Sequence, residues 1–317
     1  MRKLRPATVV QILSNPPPVR RLKKDIAIVL LSLAVAAVSA CFFLGYIQQE
    51  KEMETQDIYG LLPGRPLSVL AINQPASFAR LFLKSEKGRK LVQRWIPDCF
   101  LEMMRWNHDL QFVLFSFHPE GVVCYVKATR KRAHELERQT LRACFPAYEP
   151  QEGTLYNLKF RYYADAGSRF LGCYQHEGLW VASYSKRLLE KVARKQLLPE
   201  ERYGEEVPVP FSLIRRFDPN ATANLLTPSE GWDIEIARQD TVLWRYTQPW
   251  IYADLFPGEG SICGFCSFPY HLLNDSICRS LGDSIASRIE RILPSLDVTP
   301  QASQDNAELY FTFCSPL

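Results

Sequence analysis

Cys263-Gly264-Phe265-Cys266 is the spacing in this chain that most resembles a known chemistry. A CxxC pair cycles between dithiol and disulfide when its first thiolate is stabilised at a helix N-terminus. Here "SICGFCSFPY" alternates as a strand does, no helix starts at the second cysteine, and no βαβ pattern precedes it. Alternation puts Cys263 and Cys266 on opposite faces, a poor geometry for a disulfide between them. Cys263 and Cys266 are thus redox candidates by spacing and not by context. A zinc site needs four ligands, and no second CxxC or HxxxH accompanies the pair. No metal and no cofactor is expected.

Five histidines are present, and His118 and His176 each precede a Glu-Gly turn. Stacked hairpins would bring the two together as a metal or acid–base site; exposed turn histidines are the plainer expectation. Asp165 and Asp254 each close a Tyr-Ala-Asp tripeptide, and paired carboxylates can do general acid–base work. They fall at different places relative to their hairpins, so no pairing is expected. Serine-hydrolase elbows, P-loops and dinucleotide fingerprints are absent from the sequence, and no catalytic residue is assigned. Trp180, Trp232, Trp244 and Trp250 are the candidates for lining a ligand groove, with core packing as their competing role.

The charge pattern says where such residues would stand. The formal net charge is +4, but residues 1–25 hold seven Lys and Arg against Asp25, a local +6 that leaves −2 for the rest. A nucleic-acid binder carries its basic excess in the folded part; this chain does not, and no nucleic-acid partner is expected. Ile26–Ile47 is free of charges over 22 residues, and about 20 are enough to cross the hydrocarbon of a bilayer. "RRLKKD" precedes it and "QQEKEMETQD" follows, so the positive side predicts an N-terminus inside and residues from about 48 outside. "VSAC" ending at Cys41 matches a lipoprotein cleavage box, but "FFLGYI" follows where a polar tether belongs. An uncleaved single-pass signal-anchor is the reading, with lipidation at Cys41 as the alternative. Asn15-Pro16-Pro17-Pro18 in the inner tail favours an extended spacer.

Residues 48–64 read as a polar stalk. Beyond it, "LSVLAI" is a strand. Helices follow from Asn73 and Pro75, from Glu86 to Trp95, and from Asp98 to Trp106. A hairpin-plus-helix unit then recurs. The first copy turns at Pro119-Glu120-Gly121 and puts Ala133, Leu136, Thr140 and Ala143 on one helix face. The second turns at Glu177-Gly178, with Ser185 capping its helix; the third turns at Glu259-Gly260 and aligns Ile277, Leu281, Ile285 and Ile289. Copies one and three share Glu-Gly-x-x-Cys, at Glu120–Cys124 and Glu259–Cys263, and each is followed by a strand, "LYNLKFRYY" or "AELYFTF". The latter is expected to close a sheet. The expected class is α+β: an N-terminal transmembrane helix, then a duplicated, mainly antiparallel sheet-plus-helix domain. Its divisions are a basic tail 1–25, an anchor 26–47, the stalk, a first half 65–198, a Glu- and Pro-rich linker 199–207 and a second half 208–317.

With its basic tail, lone anchor, "SVLAINQPASFARLF" after the stalk and "YQHEGLWVASYSKRLLEKV", the chain resembles a family of uncharacterised single-pass envelope proteins of Bacteroides-type bacteria. The resemblance implies a duplicated α+β fold in the periplasm, and it carries over no catalytic residues. The functional expectation is a periplasmic binding or interaction protein, anchored in the inner membrane, with the lipid bilayer and an envelope protein as partners. The alternatives are a type II membrane enzyme (a transferase or thiol oxidoreductase) and a lipid- or glycan-binding module.

Overall fold

The computed structural model describes residues 19–198, 209, 214, 217–228, 235–238, 241–245, 250–258, 261–269, 301–305 and 308–316. The chain divides into two units, residues 1–51 and 52–317. The first is helix α1 (Val19–Thr55), whose last residues belong to the second unit. Within α1, Ile28–Gln48 is a 21-residue stretch of mean hydropathy 2.5, long and apolar enough to cross a membrane. At 1.5 Å per residue it spans roughly 30 Å, the thickness of a bilayer core.

The second unit is α+β with a large antiparallel sheet. Strand β1 (Ser68–Ile72) leads to helices α2 (Pro75–Leu83), α3 (Glu86–Gln93) and α4 (Asp98–Trp106). The hairpin β2 (Val113–His118) and β3 (Gly121–Lys127) follows, then α5 (Arg130–Leu136), a π-helical turn (Glu137–Leu141) and α6 (Arg142–Cys144). Strands β4 (Gln151–Leu155), β5 (Leu158–Ala164), β6 (Phe170–His176) and β7 (Leu179–Ser183) form a meander ending in α7 (Lys186–Leu197). The later strands are β8 (Ala223–Pro228), β9 (Glu235–Arg238), β10 (Thr241–Arg245), β11 (Trp250–Gly258), β12 (Ser261–Pro269), β13 (Gln301–Asp305) and β14 (Glu308–Pro316). Twelve strands make one sheet in the order β13-β14-β12-β11-β8-β1-β2-β3-β7-β6-β5-β4, with β9 and β10 as a separate pair.

Burial on both faces explains why β2, β3 and β7 read as continuous apolar runs rather than alternating ones. Leu70, Ile72, Phe115 and Cys124 join the core beneath α2, α4 and α5, where Phe78, Phe100, Met103 and Leu136 meet them. Val69, Ala71, Leu114, Val123 and Tyr125 belong to the opposite core, closed by Leu188, Leu189 and Val192 of α7 and by Ile58, Leu61 and Leu62. The last three lie in the expected stalk: residues 48–64 are helix as far as Thr55, then enter the core.

Several sequence expectations need correction. Gln74, not Asn73, occupies the cap position of α2, with Pro75 at the first helical position. Asn73 instead donates its amide to the Ala221 carbonyl (3.1 Å) and to Asn224 Oδ1 (2.7 Å). The inward face runs over the full i, i+3, i+4, i+7, i+8 stripe: Ala133, Leu136 and Thr140 are buried as expected, Glu137 and Leu141 join them, and Ala143 is exposed. "LYNLKFRYY" is not one strand. Tyr156 and Asn157 both take positive φ (49° and 64°), the two-residue hairpin turn that separates β4 from β5. Strand β14 does not close the sheet but lies between β12 and β13. The polar β13, "QASQD", shows none of the apolar alternation that marks a strand. The expected halves 65–198 and 208–317 meet within the large sheet, where β1 pairs directly with β8 from Val69↔Leu226 to Ile72↔Ala223. The linker 199–207, the proline tail and the helix expected at 277–289 lie outside the described residues.

Candidate functional site

The candidate chemistry of the sequence disperses in the fold. His118 and His176 sit at opposite ends of the sheet: the register runs from His118↔Gly121 along β3 to Lys127↔Leu179 and on to Leu179↔His176. Six residues of strand separate those ends, about 20 Å at 3.3 Å per residue. His118 is instead buried beside Ser116, with Nε2 2.9 Å from Ser116 Oγ, and that hydroxyl lies 3.4 Å from Tyr125 Oη. Ser116 is fully buried, so no substrate reaches it. Asp165 pairs with Arg169 at 3.2 Å, and Asp254 with the Asn224 amide at 2.6 Å; the two carboxylates are not brought together.

Trp180 is a core residue, fully buried, and its indole N–H donates to Glu137 Oε1 at 3.1 Å. Trp250 is buried at the start of β11. Trp244 stands on β10 across from Ile236, and Trp232 lies outside the described residues. Cys263 and Cys266 stand on β12 across from Cys314 and Phe311. The thiols at Cys99, Cys124, Cys144 and Cys173 are all raised, first by burial: Cys99 is pushed up to about 12, and Cys124 and Cys173 well above their ordinary value. Such thiols stay protonated and are poor nucleophiles.

What the fold does build is an open groove of about 630 Å³ at the sheet edge, between β4–β6 and the start of α7. Its floor is Tyr162. Gly153 on β4 and Gly172 on β6 flank this ring; a Cβ on Gly153 would stand 3.2 Å from Tyr162 Cε2, and one on Gly172 3.1 Å from Cε1. With no side chains beneath it, the ring lies down across the sheet. Phe160 lies beside it nearly parallel, with centroids 6.3 Å apart and 15° between planes. Phe160 is covered by the α7 side of the core, whereas Tyr162 emerges half-buried and turns an aromatic face to the groove.

Charged groups surround this floor. Lys186 and Glu190 of α7 form an exposed ion pair at 3.7 Å. Burial raises the Tyr162 hydroxyl, and Glu190 raises it further. On the other wall the Arg169 guanidinium sits 5.4 Å over the Tyr184 ring. Burial, then Cys99 and Asp165, push the Tyr184 hydroxyl up, so it acts as a neutral group. Phe170 is 46% exposed beside it. These tyrosines, not the four candidate tryptophans, line the groove; the sequence signal for Tyr162 is the isolated glycine inside each neighbouring strand, which marks a close approach. Gly172→Ala would place a Cβ 2.9 Å from Leu189 Cδ2 as well as against Tyr162. It is expected to cost about 1–3 kcal/mol by overpacking, read as a lower melting temperature of the detergent-solubilised chain.

No protein-family model matches the chain, and no curated protein matches it. Among solved structures it is similar to TP0453. Crystal form I gives a TM-score of 0.43 with 8% identity over 83% of this chain and 94% of that one. Form III gives 0.39 with 8% identity over 81% and 93%, and form IV gives 0.39 with 9% identity over 80% and 91%. Likeness at this level carries no functional argument.

Proposed function

We propose that this is a single-pass inner-membrane protein that displays its sheet domain in the periplasm and binds a partner there through the β4 groove. The charge asymmetry around the apolar helix supports the orientation. Internal duplication is part of the reading. From the central β1·β8 pair, the order β2-β3-β7 runs one way and β11-β12-β14 the other. The two Glu-Gly-x-x-Cys hairpins fall at matching places in these arms. The resemblance to envelope proteins of Bacteroides-type bacteria belongs to the same proposal.

The observation that carries the binding role is the sheet edge beside the groove, where β4 has no further neighbour among the described residues. Leu155 and Leu158 flank a two-residue turn and so form a hydrogen-bonded pair. Alternation then turns the N–H and C=O groups of Glu152 and Thr154 outward, away from β5. An extended peptide from an envelope protein can add there as a strand, its alternate side chains falling over Tyr162 and between Arg169 and Lys186. Thr154→Pro removes one outward donor at an edge position that tolerates proline. Crosslinking in intact cells, followed by purification and mass spectrometry, should show the partner depleted at least tenfold in this variant while the melting temperature stays close to wild type. An unchanged partner set would sink the proposal.

The flat Tyr162 face favours a second reading, a saccharide stacked on that ring with Glu190, Gln151 and Thr154 meeting its hydroxyls. Binding to a glycan array that Tyr162→Ala abolishes and Thr154→Pro leaves intact would select it.

A further inference from the structure

Cys263 is disulfide-bonded, whereas Cys99, Cys124, Cys144 and Cys173 are free thiols. On β12, Cys263 lies directly across from Cys314 of β14, within nine consecutive antiparallel pairs from Ser261↔Pro316 to Pro269↔Glu308. Directly opposed residues of such a pair have Cα atoms about 4.5 or 5.5 Å apart, and disulfides need about 4.4–6.8 Å. Cys266 is three residues along the same strand, roughly 10 Å away at 3.3 Å per residue, beyond the reach of a disulfide. We infer that Cys263 is bridged to Cys314, and that the CxxC spacing is incidental to this bond.

The comparison strand pair supports the specificity of the site. On β3 and β7, Cys124 lies across from Ala182, and Cys124 remains a fully buried free thiol. A single cysteine in that position has nothing to bridge to; the β12–β14 pair has a cysteine on each side. The bond staples β14 to β12 and closes the intervening chain, which the unfolded state must then carry as a loop.

Formation is a two-electron oxidation and needs an acceptor. The acceptor class is a protein disulfide of a thiol-oxidising system. The thiolate of one cysteine attacks it and expels one sulfur as a thiol, giving a mixed disulfide. The second thiolate then attacks that bond, forming Cys263–Cys314 and releasing the second sulfur. Two protein thiols are oxidised and one acceptor disulfide is reduced to two thiols. Such systems operate beyond the cytoplasmic membrane, so the bond places β12 and β14 on the side away from the basic tail. The inference does not depend on the β4 groove.

The test uses the full chain, acid-quenched in cells, alkylated in denaturant without reductant, digested and analysed by mass spectrometry. The expected result is one linked peptide pair holding Cys263 and Cys314, with Cys99, Cys124, Cys144 and Cys173 alkylated. Alkylated Cys263, or Cys263 linked to Cys266 or Cys278, overturns the inference. In the purified protein Cys263→Ser, Cys314→Ser and the double variant should each lower the melting temperature by the same amount, roughly 5–10 °C. Losses that add in the double variant would mean the two cysteines act separately, and would overturn it as well.

Discussion

Replacing Glu137 by alanine is expected to destabilise the sheet domain by about 2–4 kcal/mol, at the upper end of single-residue effects. Glu137 is buried in the π-helical turn, and three donors converge on its carboxylate. Oε1 accepts from the Trp180 indole at 3.1 Å and lies 3.7 Å from Cys173 Sγ; Oε2 accepts from the Arg161 guanidinium. Alanine leaves the fully buried Trp180 N–H without its acceptor, which costs about 1–3 kcal/mol, and adds a cavity. Arg161 is partly exposed and keeps Glu152 at 3.4 Å, so its charge is rehydrated rather than stranded. That is why the expected loss stays below the 3–5 kcal/mol typical of a broken, fully buried ion pair. Glu137→Gln keeps one carbonyl oxygen for Trp180 but turns an amide N–H₂ toward Arg161, and should lose roughly half as much. Urea unfolding of the detergent-solubilised chain, followed by tryptophan fluorescence, measures both. A Glu137→Ala variant with a wild-type midpoint would show that the Trp180 contact contributes nothing.

Glu137 also marks the limit of what periodicity can show. Positions 133, 136, 137, 140 and 141 follow the i, i+3, i+4, i+7, i+8 spacing of one helix face, but a glutamate on that stripe reads as its polar border, and the groups that hold it inside, Trp180, Cys173 and Arg161, are distant in sequence. Helices α2 to α4 and the Glu-Gly hairpins were legible because apolar spacing, a proline in the first turn of α2 and turn glycines act within a few residues, although the cap read at Asn73 was not the one the fold uses. The apolar segment of α1 was legible for the same reason. The β4–β5 turn was not, because Tyr156 and Asn157 take positive φ without glycine. The seam between β1 and β8 was not either, since a pairing across more than 150 residues leaves no local trace. Tyr162 became a groove floor through Gly153 and Gly172 together, and those residues meet only once β4, β5 and β6 are in register.

The seam is where acid should matter most. Asn224→Ala is expected to lose about 2–3 kcal/mol at pH 7, and less as the pH falls. Asn224 is buried on β8 between Ala71 of β1 and Asp254 of β11. Its amide donates to Asp254 Oδ1 at 2.6 Å, while its own Oδ1 accepts from Asn73 at 2.7 Å. Asp254 Oδ2 accepts the Asp218 N–H at 3.4 Å, and among the described residues no cation pairs with this carboxylate. Burial raises its pKa above 3.8, with the Asn224 and Asp218 donors opposing the rise. A carboxyl raised in the folded state binds its proton more tightly there than in the unfolded chain. Its charged form therefore costs stability in full above the folded pKa, and that cost fades as the pH falls toward the unfolded value. Removing Asn224 takes away the stronger donor, lifts the folded pKa further and enlarges the cost at neutral pH. Asn73 keeps the Ala221 carbonyl at 3.1 Å, so most of the loss belongs to Asp254 and should titrate. Unfolding free energies of wild type and variant, measured at matched pH between 7 and 4, should converge on acidification. Asp254→Asn supplies the control, because with no ionisable group at that position the Asn224→Ala loss should no longer depend on pH. A gap that stays constant in the Asp254 background would mean that the native state already holds this carboxyl protonated, and that Asn224 serves the seam through Asn73 and packing alone.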